Sequence, residues 1–274
     1  MGSADAGSSA DVARAHALAF AQHVAPTLLG AARRAVDLAE LEEDHAVLDV
    51  AAATGLAAFL AAERVGRDGT VVALDESAAM LEVGRERSVA AGYDYIRWQE
   101  GSAARLSFAD ESFDAVLCLQ SFLTFPRPDA VLAEFRRVLV EDGRLVLTCW
   151  GTRADNEWIE LVERALRQSL PAPPARPFPL LQPSNLEVLL QAAGFEQIEL
   201  GRVADRLRFR DQDGLWQWAL ASREWGPVLS ALPPEVQAKT QTALGATAAT
   251  RLRGGEYQVK REIVYARAIA PATP

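Results

Sequence analysis

Two aspartates, Asp49 and Asp75, each close a short apolar run, Val47-Leu48-Asp49-Val50 and Val71-Val72-Ala73-Leu74-Asp75. After the first comes Ala51-Ala52-Ala53-Thr54-Gly55, a chain of small residues leading into a helical pattern. Small side chains let the backbone approach a ligand closely. The first turn of a helix adds unpaired N–H groups and the positive end of the dipole, which suit a carboxylate. An acid at the end of the next strand accepts hydrogen bonds from both hydroxyls of a ribose. The two features together point to a ligand that carries a nucleoside. The dinucleotide fingerprint G-x-G-x-x-G is absent.

Other candidate chemistry is sparser. His16 and His23 lie seven residues apart, about two helical turns, on one face of an N-terminal helix. His23 would reach a substrate from there; a surface or core histidine is the plain alternative. Cys118 and Cys149 sit in apolar runs and read as buried small apolar residues. Two cysteines make neither a disulfide framework nor a four-ligand zinc site. No acidic cluster marks a catalytic metal, so none is expected. Trp218, Ser222 and Trp225 share a helical face. With Trp158, Phe122, Phe125 and Phe178 they are either core packing or an aromatic substrate wall.

These residues need elements to position them. Buried strands are read at 46–50, 69–75, 95–98, 113–119 and 143–150, alternating with helical patterns. Strands alternating with helices predict a parallel sheet covered on both faces, with ligands bound beyond the carboxyl ends of its strands. A helix broken at Pro26 precedes this unit. After it come an amphipathic helix from Asp155 to Leu170, a proline-rich loop at 171–183 and a capping box at Ser184-Asn185-Leu186-Glu187. Strands at 196–203 and 259–268 enclose two further helices. The expected fold is α/β: a mostly parallel, doubly wound, seven-stranded sheet with an antiparallel C-terminal strand and a helical cap. The expected division is a tail and cap helices at 1–40, a core at 41–151, a helical cap at 152–258 with one core strand near 196–203, and a final strand and tail at 259–274, all in one domain.

The stretch from Val47 to Trp150 resembles the class I S-adenosylmethionine-dependent methyltransferases, in the group around the quinone-biosynthesis C-methyltransferases. The resemblance rests on Val47–Gly55, Ala73–Leu81 with its Asp75-Glu76-Ser77 and Met80-Leu81, Gly101-Ser102-Ala103 with Leu106 and Phe108, Ser112–Val116, and Val138-Leu139 to Leu145, in that order. It implies a Rossmann-like fold and roles for single residues. Ala51, Ala53 and Gly55 would line the methionine part of S-adenosylmethionine with backbone, and Asp49 would organise that turn. Asp75, with Glu76 beside it, would hold the ribose, and Met80 would pack on adenine. Ser102 and Ala103 would meet the adenine edge, and Gln120 would face the transferred methyl. The chain departs from the family pattern in three places. Ala51 and Ala53 replace glycines, Ser102 stands where an acid is usual, and Glu141-Asp142-Gly143 replaces a Pro-Gly-Gly turn. The uniform Ala51-Ala52-Ala53 run predicts a negative φ at Ala53.

Composition bounds the rest. Of 274 residues, half are apolar, and 37 acids against 28 basic residues give a net charge of −9. Such a chain, without a basic stripe, is a poor binder of nucleic acid or of an anionic membrane. The N-terminal Gly/Ser/Ala/Asp stretch lacks a basic n-region and reads as a disordered tail over 1–10, so a cytoplasmic protein is expected. The implied activity is methyl transfer from S-adenosylmethionine to a small apolar or aromatic molecule. A cyclisation or rearrangement that keeps the cofactor, or a non-catalytic cofactor-binding role, stands as the alternative. The expected partner is a small-molecule acceptor, with a homodimer left open.

Overall fold

The computed structural model describes residues 9–172 and 183–272. The expected tail over its first eight residues, most of the proline-rich loop and Phe178 lie outside the described residues. In chain order the helices are α1 (Ser9–Ala19), α2 (Leu29–Leu38), α3 (Leu56–Val65), α4 (Ala78–Ala90), α5 (Pro128–Val138), α6 (Glu157–Ser169), α7 (Leu186–Ala192), α8 (Gln212–Ala221), α9 (Gly226–Ser230) and α10 (Pro234–Ala248). The strands are β1 (Ala46–Val50), β2 (Thr70–Asp75), β3 (Arg97–Glu100), β4 (Phe113–Leu119), β5 (Leu139–Trp150), β6 (Glu196–Phe209), β7 (Leu252–Arg253) and β8 (Glu256–Ile269).

One sheet runs in the order β3-β2-β1-β4-β5-β8-β6, with β7 paired to β8 as a short hairpin. The first five strands are parallel, and β8 is antiparallel to both β5 and β6. Among the described residues the sheet therefore has eight strands rather than the expected seven. Two glycines of positive φ, Gly254 and Gly255, turn the chain back on itself and create the added strand. Such residues supply φ > 0 without steric cost. β6 and β8 are also longer than their alternation indicated, because their far ends pair with each other beyond the edge of the core.

Neighbouring residues on a strand serve opposite faces. Leu48, Val72 and Val116 pack with Phe135 and Leu190 in one cluster. Val47, Val71 and Ala115 pack with Ala35, Ala58 and Ala61 in another. This two-sided burial is why the central strands read as continuous apolar runs. A third cluster, with Trp150, Trp158 and Trp218 in edge-to-face contact, joins α6, α8 and α10 to the ends of β5 and β8.

The helix expected to break at Pro26 does so through a wide π turn over Phe20–Val24 and a 3₁₀ turn over Ala25–Leu28. β3 begins two residues later than expected, in register with β2 from Val72↔Arg97 to Asp75↔Glu100. The capping box at Ser184 is not made: a 3₁₀ turn occupies 183–185, and no side chain caps α7. Ser77 does cap α4, accepting from the Met80 N–H at 3.3 Å.

Candidate active site

The carboxyl ends of β1, β2 and β4 open into a cavity of about 430 Å³. Its geometry starts with the turn after β1. Asp49 is buried and accepts the Ala58 N–H at 2.9 Å, so it ties β1 to the first turn of α3. The N–H of Ala52 donates to the Leu74 carbonyl at 3.0 Å, fixing the turn to β2. Ala51 and Ala53 take φ values of +56° and +49°. The negative φ expected at Ala53 is thus corrected: the chain holds two alanines in the left-handed region. The bonds on either side over-determine the turn and fix that conformation. The Ala53 N–H donates to Asp75 Oδ2 at 2.8 Å.

Gly55 also has a positive φ, +83°, but it does not line the cavity. A Cβ there would lie 2.2 Å from the Trp98 indole, and one at Gly84 would lie 2.3 Å from the same ring. Gly55 is a spacer that lets β3 seat its tryptophan between α3 and α4.

Asp75, the last residue of β2, lines the cavity. Its Oδ1 accepts the Ser77 N–H at 2.9 Å while Oδ2 takes Ala53. Burial pushes its carboxyl above the usual range, opposed by those two N–H groups and by Arg223. Glu76, Ser77, Met80, Gly101 and Ala103 line the cavity as well. Ser102 is not among the lining residues; it forms an isolated bridge with Arg105.

Gln120, just after β4, lines the cavity with φ +56°. Its amide nitrogen donates to Thr148 Oγ1 at 3.2 Å, and its Oε1 is buried with no hydrogen-bond partner. It also borders a smaller chamber of about 50 Å³ shared with Asp49, Ala51 and Ala53. Burial pushes the Asp49 carboxyl up to about 8, with the nearby Asp75 adding to the rise.

The rest of the cavity wall comes from the cap together with the segments at the ends of β4 and β5. Phe20, Val24, Leu28, Phe125, Trp150 and Trp218 give it an apolar wall, and His16, Arg223 and Glu224 interrupt that wall. His23, expected to face a substrate, is not among the lining residues; His16 is. The π turn between them changes the angular step per residue and breaks the seven-residue alignment. Trp158 and Phe122 are core residues, whereas Trp218 and Phe125 belong to the cavity wall. Arg223 and Glu224 carried no periodic signal, because they sit in the bend between α8 and α9. Among the described residues no cluster could hold a metal ion, and no helix is long and apolar enough to cross a membrane.

A doubly wound sheet with an acid at the end of each of its first two ligand-facing strands defines the class of Rossmann-like, nucleoside-binding enzymes. Comparison with known proteins narrows it. The family model described as a methyltransferase domain matches residues 47–143. The 2-phytyl-1,4-naphtoquinone methyltransferase of Thermosynechococcus vestitus is 32% identical over 182 residues, which cover 60% of this chain and 78% of that one. The ubiquinone/menaquinone biosynthesis C-methyltransferase UbiE of Xanthomonas campestris is 40% identical over 113 residues, covering 40% of this chain and 44% of the relative. A solved structure from Bacillus halodurans, provisionally assigned as a methyltransferase, shares the fold. It has a TM-score of 0.60 and 24% identity and covers 88% of this chain and 99% of that one. The chain belongs to the class I S-adenosylmethionine-dependent methyltransferases.

Proposed function

We propose that the chain transfers a methyl group from S-adenosylmethionine to a small apolar or aromatic acceptor in the cytoplasm. The observation that carries this reading is the two-ended lining of one cavity. Carboxylates and small residues stand at the strand ends, and aromatic rings stand opposite. The residues present fit the cofactor. Asp75 keeps lone pairs free for ribose hydroxyls beyond the two N–H groups it already accepts. Gln120 Oε1 is a buried acceptor in need of a donor, which the ammonium end of the cofactor carries. Ala51 and Ala53 present backbone without bulk, and Met80 and Ala103 flank the space for adenine.

When bound, S-adenosylmethionine supplies a methyl group already activated by the sulfonium. The chain's own share is to orient the acceptor and exclude water, and orientation of this kind contributes about 7–11 kcal/mol. Phe20, Phe125, Trp150 and Trp218 would do the excluding. In this reading most of residues 41–151 serve the cofactor, and segments 9–40, 152–172 and 183–258, with Phe125 and Trp150, enclose the acceptor.

The test is calorimetry with S-adenosylhomocysteine. Binding is expected, and at a hundred times its Kd it stabilises the fold by about 2.7 kcal/mol. Absence of binding by either cofactor form at millimolar concentration ends the reading.

A further inference from the structure

Glu224 stands apart from the rest of the inner wall. The bend that carries it is rigid. Ser222 and Trp225 are buried on either side. The Trp225 N–H donates to Ser222 Oγ at 3.2 Å, and the Gly226 N–H donates to the Ser222 carbonyl at 2.8 Å. A Cβ on Gly226 would lie 2.6 Å from the Leu220 carbonyl oxygen and 3.3 Å from the His16 ring, so α1 packs closely against this bend. Anchored in this way, the bend directs Arg223 and Glu224 to the cavity.

Glu224 Oε1 accepts the Trp150 indole N–H at 2.6 Å. Among the described residues no other side chain donates to the carboxylate, and no cation lies at ion-pair distance. Trp150, Trp218, Phe20 and Pro227 line the cavity with it, and His16 and Arg223 are the other polar side chains contributed by the cap. Burial pushes the Glu224 carboxyl above its ordinary range, opposed by the Trp150 indole, its own backbone N–H and Arg223; a carboxyl group offers about four lone-pair sites, and these two N–H donors fill two of them. The lone pairs left over face the cavity, where a ligand donor would use them. Arg223, whose Nη1 donates to Ser121 Oγ at 3.1 Å, lines the cavity as well. Its positive charge opposes a cationic ligand and leaves a neutral donor favoured.

We infer that Glu224, held by the Trp150 indole, accepts a hydrogen bond from a hydroxyl group on an otherwise apolar aromatic acceptor and so selects hydroxyl-bearing acceptors over their ethers and amines. This rests on the reading that the opposite end of the cavity holds the cofactor. Glu224 is then a substrate-binding residue, and Trp150 its positioning residue.

Three probes of similar shape test it on the full chain saturated with S-adenosylhomocysteine: 4-propylphenol, 4-propylanisole and 4-propylbenzylamine, each titrated by calorimetry. A charge-assisted hydrogen bond gives the phenol an advantage of roughly tenfold or more over the anisole. Glu224→Gln keeps an oxygen for the Trp150 indole but turns a donor toward the cavity. It is expected to bring the two affinities within about twofold of each other, with S-adenosylhomocysteine affinity unchanged as the control for a folded site. Intact S-adenosylhomocysteine binding with the same phenol-to-anisole ratio in both proteins overturns this inference alone. Tighter binding of the benzylamine than of the phenol overturns it as well. Failure of the wild type to bind S-adenosylhomocysteine overturns both readings together.

Discussion

The residues at the strand ends carry separable consequences. Ala51 and Ala53 occupy left-handed backbone, which costs an L-residue about 1–2 kcal/mol, while glycine gives back about 0.4–1 kcal/mol in unfolded-chain entropy. Ala53→Gly is therefore expected to raise stability by up to about 1 kcal/mol in urea titrations; a loss of stability would contradict the positive φ. Asp75 already accepts two backbone N–H groups. Asp75→Ala is accordingly expected to lower S-adenosylhomocysteine affinity more than tenfold and also to destabilise the fold by about 2 kcal/mol, read by calorimetry and melting on one preparation. Asp49 links stability to pH. Its carboxyl titrates at about 8 in the folded chain, against an ordinary 3.8. The folded state thus holds the proton more tightly. The resulting stabilisation is complete below about pH 4 and is lost as pH rises through about 8, by at most about 1.4 kcal/mol per unit. Asp49→Asn should flatten that limb, and equal pH dependence of melting in both proteins would count against the linkage. Both aspartates were legible because an acid closing an apolar run is conspicuous. The sign of φ at Ala53 was not, because it is imposed by bonds to Leu74 and Asp75 on another strand.

At the scale of elements, the tryptophan of β3 decides how α3 and α4 sit. Glycine inside a helix ordinarily costs about 1 kcal/mol relative to alanine. At Gly84, however, a Cβ would meet the Trp98 ring at 2.3 Å, whereas at Gly30 of α2 it meets nothing within 4 Å. Gly84→Ala is therefore expected to destabilise by about 1–3 kcal/mol, and Gly30→Ala to be neutral or stabilising. Thermal melts of the pair separate packing from propensity, and a stabilised Gly84→Ala protein would refute the wedge. The alternation of strands and helices from Ala46 to Trp150 was readable because two-sided burial writes each strand as an apolar block. The cap was readable only as helices. The face of α1 that meets the cavity depends on a π turn, which no spacing rule over Ser9–Ala19 encodes, and so His23 stood out in the sequence where His16 lines the wall. Arg223 and Glu224 were silent for a related reason, since a bend between helices has no period to break.

At the scale of the molecule, the cavity is shared among distant segments: Phe20 from the N-terminal helices, Asp75 and Gln120 from the sheet, Glu224 from the cap. What closes the sheet beside them is β8, which pairs with β5 from Arg144↔Ile269 to Trp150↔Ile263 and with β6 along its other edge. Removal of residues 256–274 is expected to abolish cooperative unfolding and S-adenosylhomocysteine binding alike, as read by circular dichroism and calorimetry. A truncated chain that still melts cooperatively would show that β6 can dock on β5 without it. The position of β8 has a further meaning during synthesis. Every other element precedes it in the chain, so a chain still emerging from the ribosome presents β5 and β6 with open edges and nothing between them. The newborn protein is most exposed to wrong pairing until β8 arrives to fill the gap between those two edges.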